Sequence, residues 1–122
     1  MQKKILVVDD SKSVRKLVEF SLKSGGFQVT TAEDGQEALD IMARDMFDAV
    51  ILDINMPRID GFELLRRMKA NDALVSVPVV MLTTEGQEQD KEQATMLGAA
   101  AYLVKPFKPT SLLALVNEVL SR

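Results

Sequence analysis

Three apolar runs in this chain stop on groups able to handle a phosphate. The run 5–8 ends on Asp9 and Asp10, the run 49–52 on Asp53, and the run 100–104 on Lys105 followed by Pro106. Taken singly, each has an ordinary explanation: an acid just before a helix caps it or faces its dipole, strands often turn through Asp, and lysines are usually solvated. Gathered in one crevice, they have a chemistry. Two carboxylates ~5 Å apart repel by roughly 3 kcal/mol at an effective dielectric of ~20, so three together call for a cation or a bound proton. The sequence has no Cys and no His, which removes thiolate and imidazole ligands. An oxygen-ligated Mg2+, which keeps several waters and leaves positions for phosphate oxygens, is then the natural ion. In that setting Asp53 is a nucleophile toward a phosphoryl group, with Lys105 and the Thr83 hydroxyl holding the remaining oxygens.

Bringing these residues together requires strands that end on one edge of a parallel sheet. Continuous aliphatic runs predict strands at 4–9, 27–32, 48–53, 78–83 and 100–105, covered on both faces, with a helix after each. Ser11 caps a first helix with Val14, Leu17, Val18 and Leu22 facing inward, ended by Gly25-Gly26. Asp34 and Glu37 have capping-box spacing for a second, with Leu39, Met42, Ala43 and Met46 inward. A third helix follows Asp60-Gly61 with Phe62, Leu65 and Met68 inward. The last opens at Pro109 and buries Leu112, Leu115, Val116, Val119 and Leu120. The fourth, after residue 85, is almost wholly polar, with apolar contact expected only from Ala94, Met96 and Leu97, and should be among the less stable parts of the fold. Strict alternation implies a doubly wound, five-stranded α/β sheet of the flavodoxin-like order 2-1-3-4-5 with five helices. That order makes the first and third strands neighbours, so Asp9, Asp10 and Asp53 meet.

At 122 residues the chain reads as one domain, 1–122, with 47% hydrophobic and 27% charged residues, as in ordinary globular proteins. A net charge of −3 argues against binding nucleic acid or an anionic membrane. No apolar stretch reaches the ~20 residues that span a bilayer, and no basic-then-apolar leader opens the chain, so a cytoplasmic location is expected. The seven Met residues read as core filler.

The stretches Val8-Asp9-Asp10-Ser11, Asp53-Ile54-Asn55-Met56-Pro57 with Asp60-Gly61, Thr83-Thr84-Glu85, and Tyr102-Leu103-Val104-Lys105-Pro106-Phe107 resemble the receiver domain of two-component response regulators. Within that family they are most similar to the single-domain chemotaxis (CheY-like) regulators. The likeness spans essentially the whole chain. It implies that Asp53 is the phosphorylated aspartate. It implies that Asp10, Asp53 and the backbone carbonyl of Asn55 ligate Mg2+, with Asp9 acting indirectly. Lys105 pairs with the phosphoryl group, and its bond to Pro106 is expected to be cis. Thr83 and Tyr102 resemble a coupled switch pair, in which the hydroxyl moves toward the phosphoryl group and the ring fills the vacated space. The face made by the fourth helix, fifth strand and fifth helix is then remodelled. Asn55 and Glu85 sit where side chains of this family flank the path of water to the acyl phosphate and modulate dephosphorylation. Thr84 replaces a common alanine, and Ala99-Ala100-Ala101 replaces a segment that often carries an acid.

The expectation is therefore a stand-alone, monomeric receiver with no output domain. The resemblance implies that its phosphoryl group comes from the phosphohistidine of a histidine kinase, and because the chain has no His that imidazole must belong to another molecule. It is a phosphoacceptor that assists its own phosphorylation and dephosphorylation, not an enzyme. It signals by protein contact, with chemotaxis and a flagellar motor switch protein as the expected setting and target, and a phosphatase as a possible further partner. The alternative is a phosphorelay shuttle or phosphate sink outside chemotaxis. An FMN carrier of the same fold needs a neutral, glycine-rich phosphate loop where this chain has Asp9-Asp10-Ser11-Lys12. An aspartyl-phosphate phosphatase needs a second Asp two residues after its nucleophile, where this chain has Asn55.

Overall fold

A computed structural model describes residues 2–84 and 87–122 of the chain. Five strands, β1 (Lys4–Val8), β2 (Gln28–Ala32), β3 (Ala49–Asp53), β4 (Val79–Thr83) and β5 (Ala101–Val104), alternate with five helices, α1 (Lys12–Ser24), α2 (Gly35–Met42), α3 (Gly61–Lys69), α4 (Glu88–Met96) and α5 (Pro109–Leu120). The strands pair in parallel in the order β2-β1-β3-β4-β5. Strand limits fall within one residue of those expected from the aliphatic runs.

Those runs resolve into two faces because successive strand side chains point to opposite sides. Leu6, Val8, Val50, Leu52, Val79 and Met81 share a core with the inward residues of α2, α3 and α4. Ile5, Val7, Ala49, Ile51, Val80 and Leu82 share the other with α1 and α5. No strand residue of β3 or β4 is exposed, whereas β5, at the sheet edge, is only partly buried. Among the described residues no helix is long and apolar enough to cross a membrane.

The helix starts follow the expected chemistry. Ser11 Oγ accepts from the Val14 N–H at 3.4 Å, Asp34 Oδ1 from Glu37 at 2.8 Å, and Asp60 Oδ1 from Glu63 at 2.8 Å. Gly25 closes α1, and Gly26 supplies the left-handed turn at φ +91°.

Four inward assignments fail. Leu17 is 44% exposed, because the buried arc of α1 turns toward Ser21, whose hydroxyl satisfies itself on the Leu17 carbonyl at 2.8 Å. Ala43 and Met46 are exposed, since α2 stops at Met42 and helical periodicity no longer applies beyond it; Phe47 is buried instead. Met96 is 87% exposed, leaving Ala94 as the buried residue of α4 while Leu97 packs partly on the core. Met42, Met56, Met68 and Met81 do fill core, but Met46 and Met96 do not.

Candidate functional site

The strand order sets the C-terminal ends of β1, β3 and β4 side by side, with Val8 opposite Leu52 and Asp53 opposite Leu82. Asp9 follows directly on β1, Asp53 ends β3, Thr83 ends β4, and Lys105 follows β5. Asp9, Asp53 and Thr83 thus leave buried strands, and Lys105 the partly buried edge strand, at the end of the sheet where open α/β sheets bind ligands.

Asp9 is fully buried and committed on every side. Its N–H donates to the Ala32 carbonyl at 3.2 Å. Its Oδ1 accepts from the Ser11 N–H at 2.9 Å, and its Oδ2 accepts from Lys105 Nζ at 2.8 Å. Asp53, 3% exposed, accepts from the Asn55 N–H at 3.3 Å and lies 3.4 Å from Lys105 Nζ. Lys105 therefore spans both acids, and its own N–H is held by the Thr83 carbonyl at 2.6 Å. The peptide from Lys105 to Pro106 is cis, as the family resemblance implies. Asp10 is exposed, and its carboxylate makes no ion pair or hydrogen bond among the described residues.

Oxygens of Asp9, Asp10 and Asp53 all lie within 4.8 Å of one another. One ammonium offsets one of the three negative charges. Burial first, then the neighbouring Asp9 charge, push the Asp53 carboxyl up to about 6 against the opposing pull of Lys105 and the Asn55 N–H. An all-oxygen donor set with surplus negative charge and one unpartnered carboxylate fits a hard divalent cation.

The expected switch and modulator positions are distributed around this cluster. Thr83 is buried at the end of β4, and Tyr102 is half-buried against the core under α4. The Asn55 side chain is exposed beside Asp53, and Glu85 lies outside the described residues. Thr84 borders a cleft of about 490 Å³ with Val14, Leu17, Lys105, Pro106 and Phe107.

Two residues with a part in the site were given no role there from the sequence. Gly61 donates to the Ile54 carbonyl at 2.9 Å. A Cβ on it would lie 2.7 Å from Ile54 Cα and would also strike the Asp53 carbonyl. Only glycine lets α3 start this close behind the acidic strand end. Its signal was a glycine directly after the cap Asp60, where Gly has no conformational advantage. The other, Arg15, donates from Nη1 to the Asp9 carbonyl at 2.7 Å.

Residues 5–117 match the family model described as the response regulator receiver domain. The chain is 42% identical over 99% of its length to a probable transcriptional regulator, ycf27, of Guillardia theta, covering 46% of that protein. It is 38% identical over its whole length to the alkaline phosphatase synthesis transcriptional regulatory protein PhoP of Bacillus subtilis, covering 50% of it. The chain thus spans about half the length of these curated relatives. The solved structure of chemotaxis protein CheY4 of Vibrio cholerae superposes with a TM-score of 0.93 at 39% identity, covering 98% of this chain and 99% of that one. The fold, the matched family model and these relatives agree: the chain belongs to the receiver domains of response regulators, which are phosphorylation-activated switches.

Proposed function

We propose that Asp53 is the phosphoacceptor of this receiver and that its phosphoryl group comes from the phosphohistidine of a histidine kinase. The observation that carries this reading is Lys105, whose ammonium contacts both Asp9 and Asp53 beside three converging carboxylates. An Asp53 oxygen forms the new bond to phosphorus. The phosphorus–nitrogen bond of the donor breaks, and its electron pair leaves with the imidazole, which takes up a proton. With its carboxyl raised only to about 6, Asp53 is largely ionised at neutral pH and available as nucleophile.

Asp10, Asp53 and the Asn55 carbonyl would hold Mg2+, with Asp9 acting through water or charge. When bound, the ion supplies charge neutralisation for the phosphoryl oxygens. Lys105 neutralises a further oxygen, and Thr83 donates its hydroxyl to another. Tyr102 then follows Thr83 and alters the face of α4, β5 and α5. Asn55 and Glu85 flank the approach of water and set how long the acyl phosphate survives. The protein works as a stoichiometric acceptor and not as a turnover enzyme.

Acetyl phosphate with Mg2+ should add one acid-stable, hydroxylamine-labile phosphoryl group, detected as an 80 Da mass increase. Asp53→Ala should abolish it. Label persisting on that variant would refute the assignment, and turnover of a generic phosphate ester would revive an enzymatic reading.

Two settings for the output have support. The likeness to CheY4, a chemotaxis protein, favours a receiver read by protein contact, in chemotaxis by a flagellar motor switch protein. The transcriptional regulators, each about twice as long, favour the same switch coupled to gene control. Binding of the beryllofluoride-loaded chain to motor switch peptides, with no binding by the unloaded chain, would select chemotaxis. Its absence would leave gene control or a phosphorelay shuttle.

A further inference from the structure

Helix α1 opens against its own dipole. Its first turn has no acid, and Lys12, Arg15 and Lys16 gather at the end where the macrodipole disfavours cations. A cation kept there needs a partner, and Arg15 has one in an unusual place. Its guanidinium donates to the Asp9 backbone carbonyl at 2.7 Å, in a partly buried position. That carbonyl belongs to the planar peptide joining Asp9 to Asp10. Asp9 is held by Ala32, Ser11 and Lys105 on its other polar groups. The Asp10 carboxylate makes no contact of its own among the described residues, so its aim depends on the backbone that carries it.

We propose that Arg15 is a positioning residue of the cation site: by gripping the Asp9 carbonyl it fixes the peptide plane that points Asp10 at the metal. This rests on the reading of Asp10 as a Mg2+ ligand. Groups that orient metal ligands from behind typically contribute 10–100-fold in metal affinity. Charge alone predicts the opposite sign, because removing a cation near a divalent site strengthens cation binding. The two roles therefore separate cleanly.

The test is a Mg2+ titration of the full chain, followed by amide shifts without any phosphodonor, for wild type, Arg15→Met, Arg15→Lys and Asp10→Asn. Arg15→Met keeps an unbranched apolar stem and loses the charge and the donors. Positioning predicts that it binds Mg2+ at least tenfold more weakly, with labelling by acetyl phosphate restored at saturating Mg2+. Unchanged or tighter binding by Arg15→Met overturns the proposal. Should that variant fail to fold, Arg15→Lys decides: it keeps the charge but not the reach, so weaker binding supports positioning and wild-type binding overturns it. Asp10→Asn separates the two levels. If it loses Mg2+ while Arg15→Met does not, only the positioning role fails; if it binds as wild type does, the metal reading fails and the proposal with it.

Discussion

Helices α3 and α4 are the same length, nine residues each, and cover the same face of the sheet. They are built differently. Asp60 caps α3 with a 2.8 Å hydrogen bond, and Phe62, Leu64, Leu65 and Met68 are buried beneath it. At roughly 2 kcal/mol for each large apolar side chain buried, that anchorage far exceeds anything α4 can gather. Gln87 opens α4 without a side-chain cap, and Ala94 is its buried residue. The difference maps onto the work proposed for each. The start of α3 presses on the backbone of Asp53 and Ile54 through Gly61, so the proposed acceptor is seated on the firmer helix. In the proposed switch the face that α4 shares with β5 rearranges as Tyr102 moves, and a weakly held element rearranges at little cost.

The largest test of this contrast is a matched pair of truncations. Leu64→Ala should cost about 3–4 kcal/mol in urea unfolding, as buried leucine truncations do. Met96→Ala should stay within about 0.5 kcal/mol, as exposed sites do. Similar losses at both sites would erase the contrast.

Next comes the charge that the firm region holds out of water. An unfolded Asp titrates near ~3.9, and Asp53 in the fold near about 6. Below pH ~4 both states carry the proton and nothing is gained or lost. As pH rises toward about 6 the folded state still holds a proton that the unfolded chain has released, so stability falls through this window. Above it the full cost applies, about 3 kcal/mol for two pKa units. Asp53→Asn should therefore be more stable than wild type by about that amount at pH 7.5 without Mg2+, and equal to it near pH 3.5. Added Mg2+ should narrow the gap by stabilising wild type alone. An Asn variant no more stable at pH 7.5 would show that the cluster is not strained.

The smallest effect is at the other helix. Gln87→Asp installs the missing cap and should add about 1 kcal/mol, read as slower amide exchange across 90–96. If the yielding of α4 serves signalling, the same change should also weaken the spread of beryllofluoride-induced shifts toward Tyr102.

Much of this contrast is visible in the residues themselves. The continuous aliphatic runs and the capping residues Ser11, Asp34 and Asp60 place the sheet and helix starts, because backbone polarity and burial leave few alternatives. The polar run after residue 85 marks α4 as weakly held. The convergence of Asp9, Asp10, Asp53 and Lys105 follows once the strand order is known, since strand ends carry them. Contacts that depend on three-dimensional approach do not show. Gly61 against the Asp53 backbone and Arg15 on a main-chain carbonyl leave only local oddities: a glycine with no turn to make, and cations at the wrong end of a helix. Leu17, Met46 and Met96 were misplaced because periodicity reports which side chains are apolar and not where a helix stops or how far its buried arc extends.

Two solvent-facing methionines among the described residues have a practical use. Met96 rides on α4, and Met46 sits in the connection between α2 and β3, while four others are enclosed in the core. Isotope labelling confined to methionine methyls would thus include an indicator on the responsive helix, a solvent-facing control in the α2–β3 connection, and interior reporters of intact packing, all in a single unmutated sample.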